Sequence, residues 1–325
     1  MDPGQVDELA EEAAKLTIEE LGEARKRLGF CTAEGHAITG FPYPPERPLF
    51  YAKLRTKAVL RQEARTQQFA YEGLEKMPPD KRHGIRVPRV LRLVENERGN
   101  GFIIMEYVHG ETLKSILARP NSPTYGDVQP YFDRISKALR LFLEIPVPAD
   151  AKPGPCGGGI IHHTFYKDFE AAIEYESIDM LEAHLNKLAT FINKAAPTLT
   201  LERELHLVYS DLHEANFLFR GDDLYVVDFD HAALLPLSYM AFALRFPSIA
   251  SMTVAGHIRH DFDLPQDNQA VMAKINGFMG MAVSRIGLPL EGYPNTGPEK
   301  KRMRRPFPVP EQNRADEKPR MASES

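Results

Sequence analysis

Cysteine, charge bias and long apolar runs are all scarce in this chain of 325 residues, and each scarcity removes a class of protein. Two cysteines, Cys31 and Cys156, cannot build a disulfide framework or a four-thiolate zinc site, so free thiols in a reducing compartment are expected. Lys and Arg total 40 against 45 Asp and Glu, a net charge of −5. So even a balance gives no electrostatic drive towards nucleic acid or an anionic membrane, and neither is an expected partner. No segment approaches the roughly 20 continuous apolar residues of a membrane-spanning helix. Residues 1–28 are acidic and helix-patterned, without the basic start, apolar core and cleavage site of a secretory signal. A cytoplasmic protein is therefore expected. Nothing in the sequence sets an oligomeric state.

What is present is organised. Leu49-Phe50-Tyr51-Ala52-Lys53-Leu54 reads as a strand. A helix is expected from about Thr56 to Met77, because Leu60, Ala64, Gln67, Tyr71 and Leu74 share one face and Pro78-Pro79 stops it. Residues 87–94 read as an edge strand, since Pro88 cannot donate to a ladder. A turn at 96–101 leads to a strand at 102–108, ended by His109-Gly110. Beyond Gly110 the pattern is helical: Tyr131, Ile135, Ala138, Leu139 and Phe142 share a face, as do Leu181, Leu185, Leu188 and Ile192, and Val271, Ile275, Phe278 and Ala282. One hairpin is embedded there, with strands 216–220 and 224–228 about a turn at Gly221-Asp222-Asp223. From Glu291 to Ser325 the chain is rich in Pro and charge and poor in large aliphatics, so a disordered tail is expected. Its Lys300-Lys301-Arg302-Met303-Arg304-Arg305 cluster reads as a solvated charge run, with a nuclear-import patch as the alternative.

The chemistry concentrates in Tyr209-Ser210-Asp211-Leu212-His213-Glu214-Ala215-Asn216, followed by Asp228-Phe229-Asp230. Asp211 and Asn216 have the D-x-x-x-x-N spacing of a kinase catalytic loop. Phosphoryl transfer needs an acceptor for the incoming hydroxyl proton and hard oxygen ligands for Mg²⁺. Asp211 supplies the first, Asn216 and Asp228 the second, and the hairpin returns Asp228 to the side of the loop.

Ser210-Asp211-Leu212-His213-x-x-Asn216 with Val227-Asp228-Phe229-Asp230 resembles the aminoglycoside phosphotransferase and choline kinase-like (APH) family. Tyr209 and Ser210 stand where that family usually has His and Gly. The stretch 227–244 further resembles uncharacterised fungal members. The resemblance spans roughly residues 49–285 and is most specific at 208–240. It implies an α+β fold of protein kinase-like type, with a small strand-rich N-lobe and a larger helical C-lobe. The expected division is an N-terminal helical extension at 1–28, an N-lobe at 29–108, a C-lobe at 109–290 and a tail at 291–325.

The resemblance also implies ATP and Mg²⁺ as cofactors and a small-molecule hydroxyl as phosphate acceptor. Lys53 would bind phosphates, held by Glu63, with Lys57 and Glu72 as rivals. Met105-Glu106-Tyr107-Val108 occupies the interlobe hinge, where the Glu106 carbonyl and Val108 amide would meet adenine. His213 would support loop geometry, and Asp230 and His231 would be supporting or core groups. The phosphate-covering loop fits less well, because Gly35 to Gly40 runs into the proline-rich 41–45. That weak loop and the Tyr209-Ser210 departure motivate the alternative of an inactive, pseudokinase-type binding module. A protein kinase ranks lower, since no His-Arg precedes Asp211 and no Ala-Pro-Glu follows Asp228. Gly157-Gly158-Gly159 reads as a flexible loop rather than a cofactor cradle, and the adjacent His162 and His163 are poorly placed to share a metal.

Overall fold

The computed structural model describes residues 3–32, 37–97, 100–119, 125–195, 197–282, 285–293 and 296. Of the expected tail at 291–325, residues 294–295 and 297–325, with the basic cluster at 300–305, lie outside the described residues, as does the loop tip at 33–36. The start of that tail is not disordered, since Tyr293 pairs with Leu290 and buried Thr296 accepts from the Leu290 amide at 2.7 Å.

Two amphipathic helices open the chain, α1 (Pro3–Lys15) and α2 (Ile18–Leu28). Thr17 starts α2 through a capping box with Glu20, which satisfies amides left free at a helix start. The small lobe continues with β1 (Gly40–Tyr43), β2 (Phe50–Thr56), α3 (Lys57–Glu75), a single turn α4 (Pro79–Arg82), β3 (Ile85–Arg86), β4 (Val90–Glu95) and β5 (Asn100–Glu106), of which β3 pairs with the hairpin of the large lobe. Its antiparallel sheet has the order β1-β2-β5-β4, which makes β4 an edge. Side chains alternate along β2. Phe50 and Ala52 join Ala13, Leu16 and Leu21 of the N-terminal segment in one cluster. Tyr51 turns to the opposite face, where Leu60 and Ala64 of α3 meet Ile103 and Met105. Each such buried Leu or Phe contributes about 1.5–3 kcal/mol. Arg92 fastens the end of α1 by donating to the carbonyls of Ala13 (3.2 Å) and Leu16 (3.0 Å).

The phosphate-loop region has a hairpin stem despite its prolines. The Ile38 amide donates to the Phe30 carbonyl at 2.9 Å, Cys31 pairs with Ala37, and the Leu54 amide reaches the Thr39 carbonyl at 2.7 Å. A Cβ at Gly40 would sit 2.5 Å from the Tyr51 hydroxyl oxygen, so glycine lets the strand lie against that ring.

The large lobe comprises β6 (Glu111–Thr112), α5 (Leu113–Leu117), α6 (Tyr125–Leu143), α7 (Ile178–Ile192), β7 (His206–Tyr209), β8 (Phe217–Arg220), β9 (Asp223–Val226), β10 (Ala232–Leu235), α8 (Leu237–Arg245), α9 (Met252–Ile258) and α10 (Gln269–Met281). One apolar core runs through it, including Phe132, Phe142, Leu185, Phe229 and Ile275. The β8–β9 hairpin pairs Arg220 with Asp223, with Gly221 in the turn at φ +57. β7 pairs with β10, so a second ladder flanks the loop between β7 and β8. The fold is thus α+β and bilobal, with the chain crossing between lobes after β5.

The glycines at 157–159 form a packed turn, not a loose loop. All three have positive φ, Arg65 of α3 donates to the Gly158 carbonyl at 3.3 Å, and a Cβ at Gly159 would lie 2.0 Å from Gln62 Nε2. Their conformational freedom serves a close approach to α3.

Candidate active site

Lys53 leaves β2 towards α3, and its Nζ bonds to Glu63. The same nitrogen lies 2.8 Å from Asp228 Oδ1, beyond the end of β9 in the other lobe. Lys53 and Glu63 are almost wholly withdrawn from solvent. A buried ion survives only with partners of opposite charge, which each finds here. Burial works against the Lys53 charge, but Glu63 and Asp228 outweigh it and hold the ammonium above its ordinary value. Burial would likewise raise Asp228, yet Lys53 and Arg55 bring its carboxyl below the usual range. Asp228 has φ +63, a left-handed conformation that costs a non-glycine residue on the order of 1 kcal/mol. Of the rivals, Glu72 is exposed and accepts from Gln68 at 2.9 Å, while the Lys57 side chain lies outside the described residues.

The loop after β7 is pinned through its backbone. The Ser210 amide and hydroxyl both donate to the His231 carbonyl, at 3.1 and 2.9 Å. Asn216 Nδ2 donates to the Asp211 carbonyl at 3.1 Å, and the Val227 amide donates to the Asn216 carbonyl at 3.0 Å. The Ala215 amide donates to His213 Nδ1 at 3.0 Å, so His213 caps the short turn at Glu214–Asn216. The Tyr209 hydroxyl donates to the Val227 carbonyl at 2.5 Å, one residue before Asp228. Tyr209 and Ser210, which depart from the usual His-Gly, therefore both tie the loop to the 227–231 segment. The Asp211 carboxylate makes no hydrogen bond or ion pair among the described residues.

Glu106 ends β5 at the crossing between lobes. Its amide donates to the Arg89 carbonyl at 3.1 Å, and its carboxylate accepts from the Arg89 amide at 3.1 Å. The Tyr107 amide donates to the Leu49 carbonyl at 3.1 Å, and Val108 follows as the chain leaves the sheet. The expected hinge residues thus stand beside β2 and upstream of the Asp211 loop.

Three groups in the cleft carry more than the sequence reading assigned them. Arg55 sits two residues past Lys53 on the same face of β2, with Nε 3.0 Å from Glu63 Oε2. Asp230, read as a supporting or core group, accepts from His162 at 2.8 Å. His162 and Arg55 bring the Asp230 carboxyl down to about 2 against the effect of burial. Asp230 in turn raises His162. His163 points the other way, into Phe165, Tyr239 and Phe242, where burial lowers it to about 3. The alternation along β2 was the one available signal for Arg55; none in the sequence pairs His162 with Asp230.

The donor set suits a hard divalent cation. Asn216 and Asp228 offer a carboxamide and a carboxylate, and among the described residues no group of three His, Cys, Asp or Glu forms a self-contained metal cage. Such a pair fits Mg²⁺ completed by phosphate oxygens and water.

A family profile described as "Phosphotransferase enzyme family" matches residues 50–239, which include Lys53, Glu63, Asp211, Asn216 and Asp228. Among solved structures, aminoglycoside phosphotransferase APH(4)-Ia is similar at 12% identity and a TM-score of 0.42, covering 71% of this chain and 75% of that one. Spectinomycin phosphotransferase APH(9)-Ia, in complex with ADP and spectinomycin, is similar at 12% identity and a TM-score of 0.41, covering 73% and 74%. No curated protein matches. The profile spans more than half of the sequence, and the chain belongs to the phosphotransferase enzyme family.

Proposed function

We propose that the protein is an ATP- and Mg²⁺-dependent phosphotransferase acting on a hydroxyl of a small molecule. The observation that carries this is the position of Lys53 Nζ between Glu63 and Asp228, which joins a strand and helix of one lobe to an acid of the other. Lys53 binds phosphate oxygens, and Glu63 keeps it charged and in place. Asn216 and Asp228 hold the metal. The Glu106 carbonyl and Val108 amide bind the adenine edge. Asp211 accepts the proton of the acceptor hydroxyl, a task that suits a carboxylate with no competing partner on a pinned backbone. Bound Mg²⁺ neutralises charge on the phosphates. The protein supplies position and electrostatic complementarity rather than covalent chemistry.

The test is ATP consumption across panels of alcohols and aminoglycosides, with wild type beside Asp211→Asn. The expected result is acceptor-dependent turnover that the variant loses; equal turnover by both would sink the role of Asp211. Nucleotide binding without turnover on any acceptor would favour the binding-module reading.

A further inference from the structure

The Lys53 pairing creates a difficulty that Arg55 resolves. On the phosphotransferase reading, Lys53 must turn from its carboxylates towards a phosphate. Glu63 is withdrawn from solvent, and a buried carboxylate stripped of its cation is strongly destabilising. Glu63 does not depend on Lys53 alone. Its Oε1 faces Lys53, whereas its Oε2 faces Arg55 Nε at 3.0 Å. The other end of the same guanidinium is 3.8 Å from Asp228 Oδ1 and 3.8 Å from Asp230 Oδ2. Asp230 is itself anchored, through Oδ1, on His162. One planar cation thus faces α3 on one side and the turn after β9 on the other. A lysine at 55 would offer one point charge in place of this fork, whose Nε serves Glu63 while Nη2 faces both Asp228 and Asp230.

We propose that Arg55 is a positioning residue: it ties Glu63 of α3 to the Asp228–Asp230 turn, so that Lys53 is free to exchange Asp228 for a phosphate. Among the described residues, Glu63, Asp228 and Asp230 face Lys53 and Arg55 here, with His162 on the far oxygen of Asp230. Once Lys53 turns to phosphate, Arg55 is the cation that keeps Glu63 and the 228–230 turn in register. Asp228 can then give up its ammonium partner to a divalent ion without α3 moving. This role is distinct from contact with nucleotide and rests on the reading given under Proposed function.

The experiment measures ADP binding calorimetrically, with Mg²⁺ and with EDTA, for wild type, Arg55→Gln, Arg55→Lys, Asp230→Asn and Lys53→Gln. Unliganded melting is recorded for each. Arg55→Gln is expected to weaken Mg²⁺–ADP binding roughly tenfold and to raise the Mg²⁺ midpoint by a similar factor, with little change in EDTA. Arg55→Lys restores only part of this, and Asp230→Asn shifts it in the same direction by about two- to threefold. Lys53→Gln loses affinity in both conditions. A purely structural arginine would lower melting without moving the Mg²⁺ midpoint, and that result overturns the proposal. So does an equal loss with and without Mg²⁺, which would make Arg55 a phosphate contact. If Arg55→Gln fails to fold, Arg55→Lys and Asp230→Asn decide by the same midpoint. Wild type that binds no ADP would overturn the phosphotransferase reading and this inference together. Binding that Arg55→Gln keeps in full overturns only the latter.

Discussion

The two acids to which the proposed mechanism gives the metal and the proton live in opposite surroundings. Asp228 is crowded by Lys53 and Arg55, is held in a left-handed conformation and has its carboxyl brought below the usual range. Asp211 has a fixed backbone and a carboxylate with no hydrogen bond or ion pair among the described residues. A metal ligand benefits from neighbours that keep it ionised, and those neighbours must be able to yield. A proton acceptor needs a lone pair that no other donor already occupies.

That contrast can be broken most severely by Asp211→Asn against Asp228→Asn. Both are expected to lower turnover, the first by about 10²–10⁴-fold. Only Asp228→Asn should also change the melting temperature and abolish the Mg²⁺ response of nucleotide binding, because only it removes a partner of Lys53. Melting curves that shift for Asp211→Asn and not for Asp228→Asn would reverse the comparison. A smaller effect is expected of Tyr209→Phe, which strips the Val227 carbonyl of its hydroxyl donor at the joint between the two acids. The cost should be about 1–2 kcal/mol and a few degrees of melting.

A third contrast separates the neighbouring histidines by pH. The folded state raises His162 above 6.5, so its contribution to stability is complete below 6.5 and fades as pH climbs through the raised value. Its partner Asp230 is lowered from 3.8 to about 2, so that contribution stands above 3.8 and fades as pH falls towards 2. His163, lowered to about 3, acts against the fold below 6.5, because the unfolded chain takes up a proton that the native state refuses. Melting profiles across pH 3–8 should therefore lose alkaline-side slope in His162→Gln and acid-side slope in His163→Phe. Identical profiles for the two variants would dissolve the distinction.

Much of this was legible in the sequence because it is local. The helical face of residues 60–74 and the hairpin about Gly221 are short-range patterns, and each lies where it is expected. What escaped depends on contacts between segments far apart in the chain. The β7–β10 ladder pairs two four-residue strands, too short for periodicity to reveal. The Asp230–His162 pair joins segments separated by 68 positions. The glycines at 157–159 looked slack because nothing in the sequence shows that α3 runs past them. Tyr209 looked like a defect against the family pattern, yet its hydroxyl reaches the backbone beside Asp228.

The cover that α1 and α2 lay over the small lobe's sheet bears on how much chain the fold needs. The family profile matches residues 50–239. Yet Ala13, Leu16, Leu21 and Phe41 complete the core around Phe50 and Phe102, and Ile258, Met272 and Ile275 complete the one in the large lobe. The stretch matched by the family profile is therefore shorter than the stretch whose side chains close the two cores.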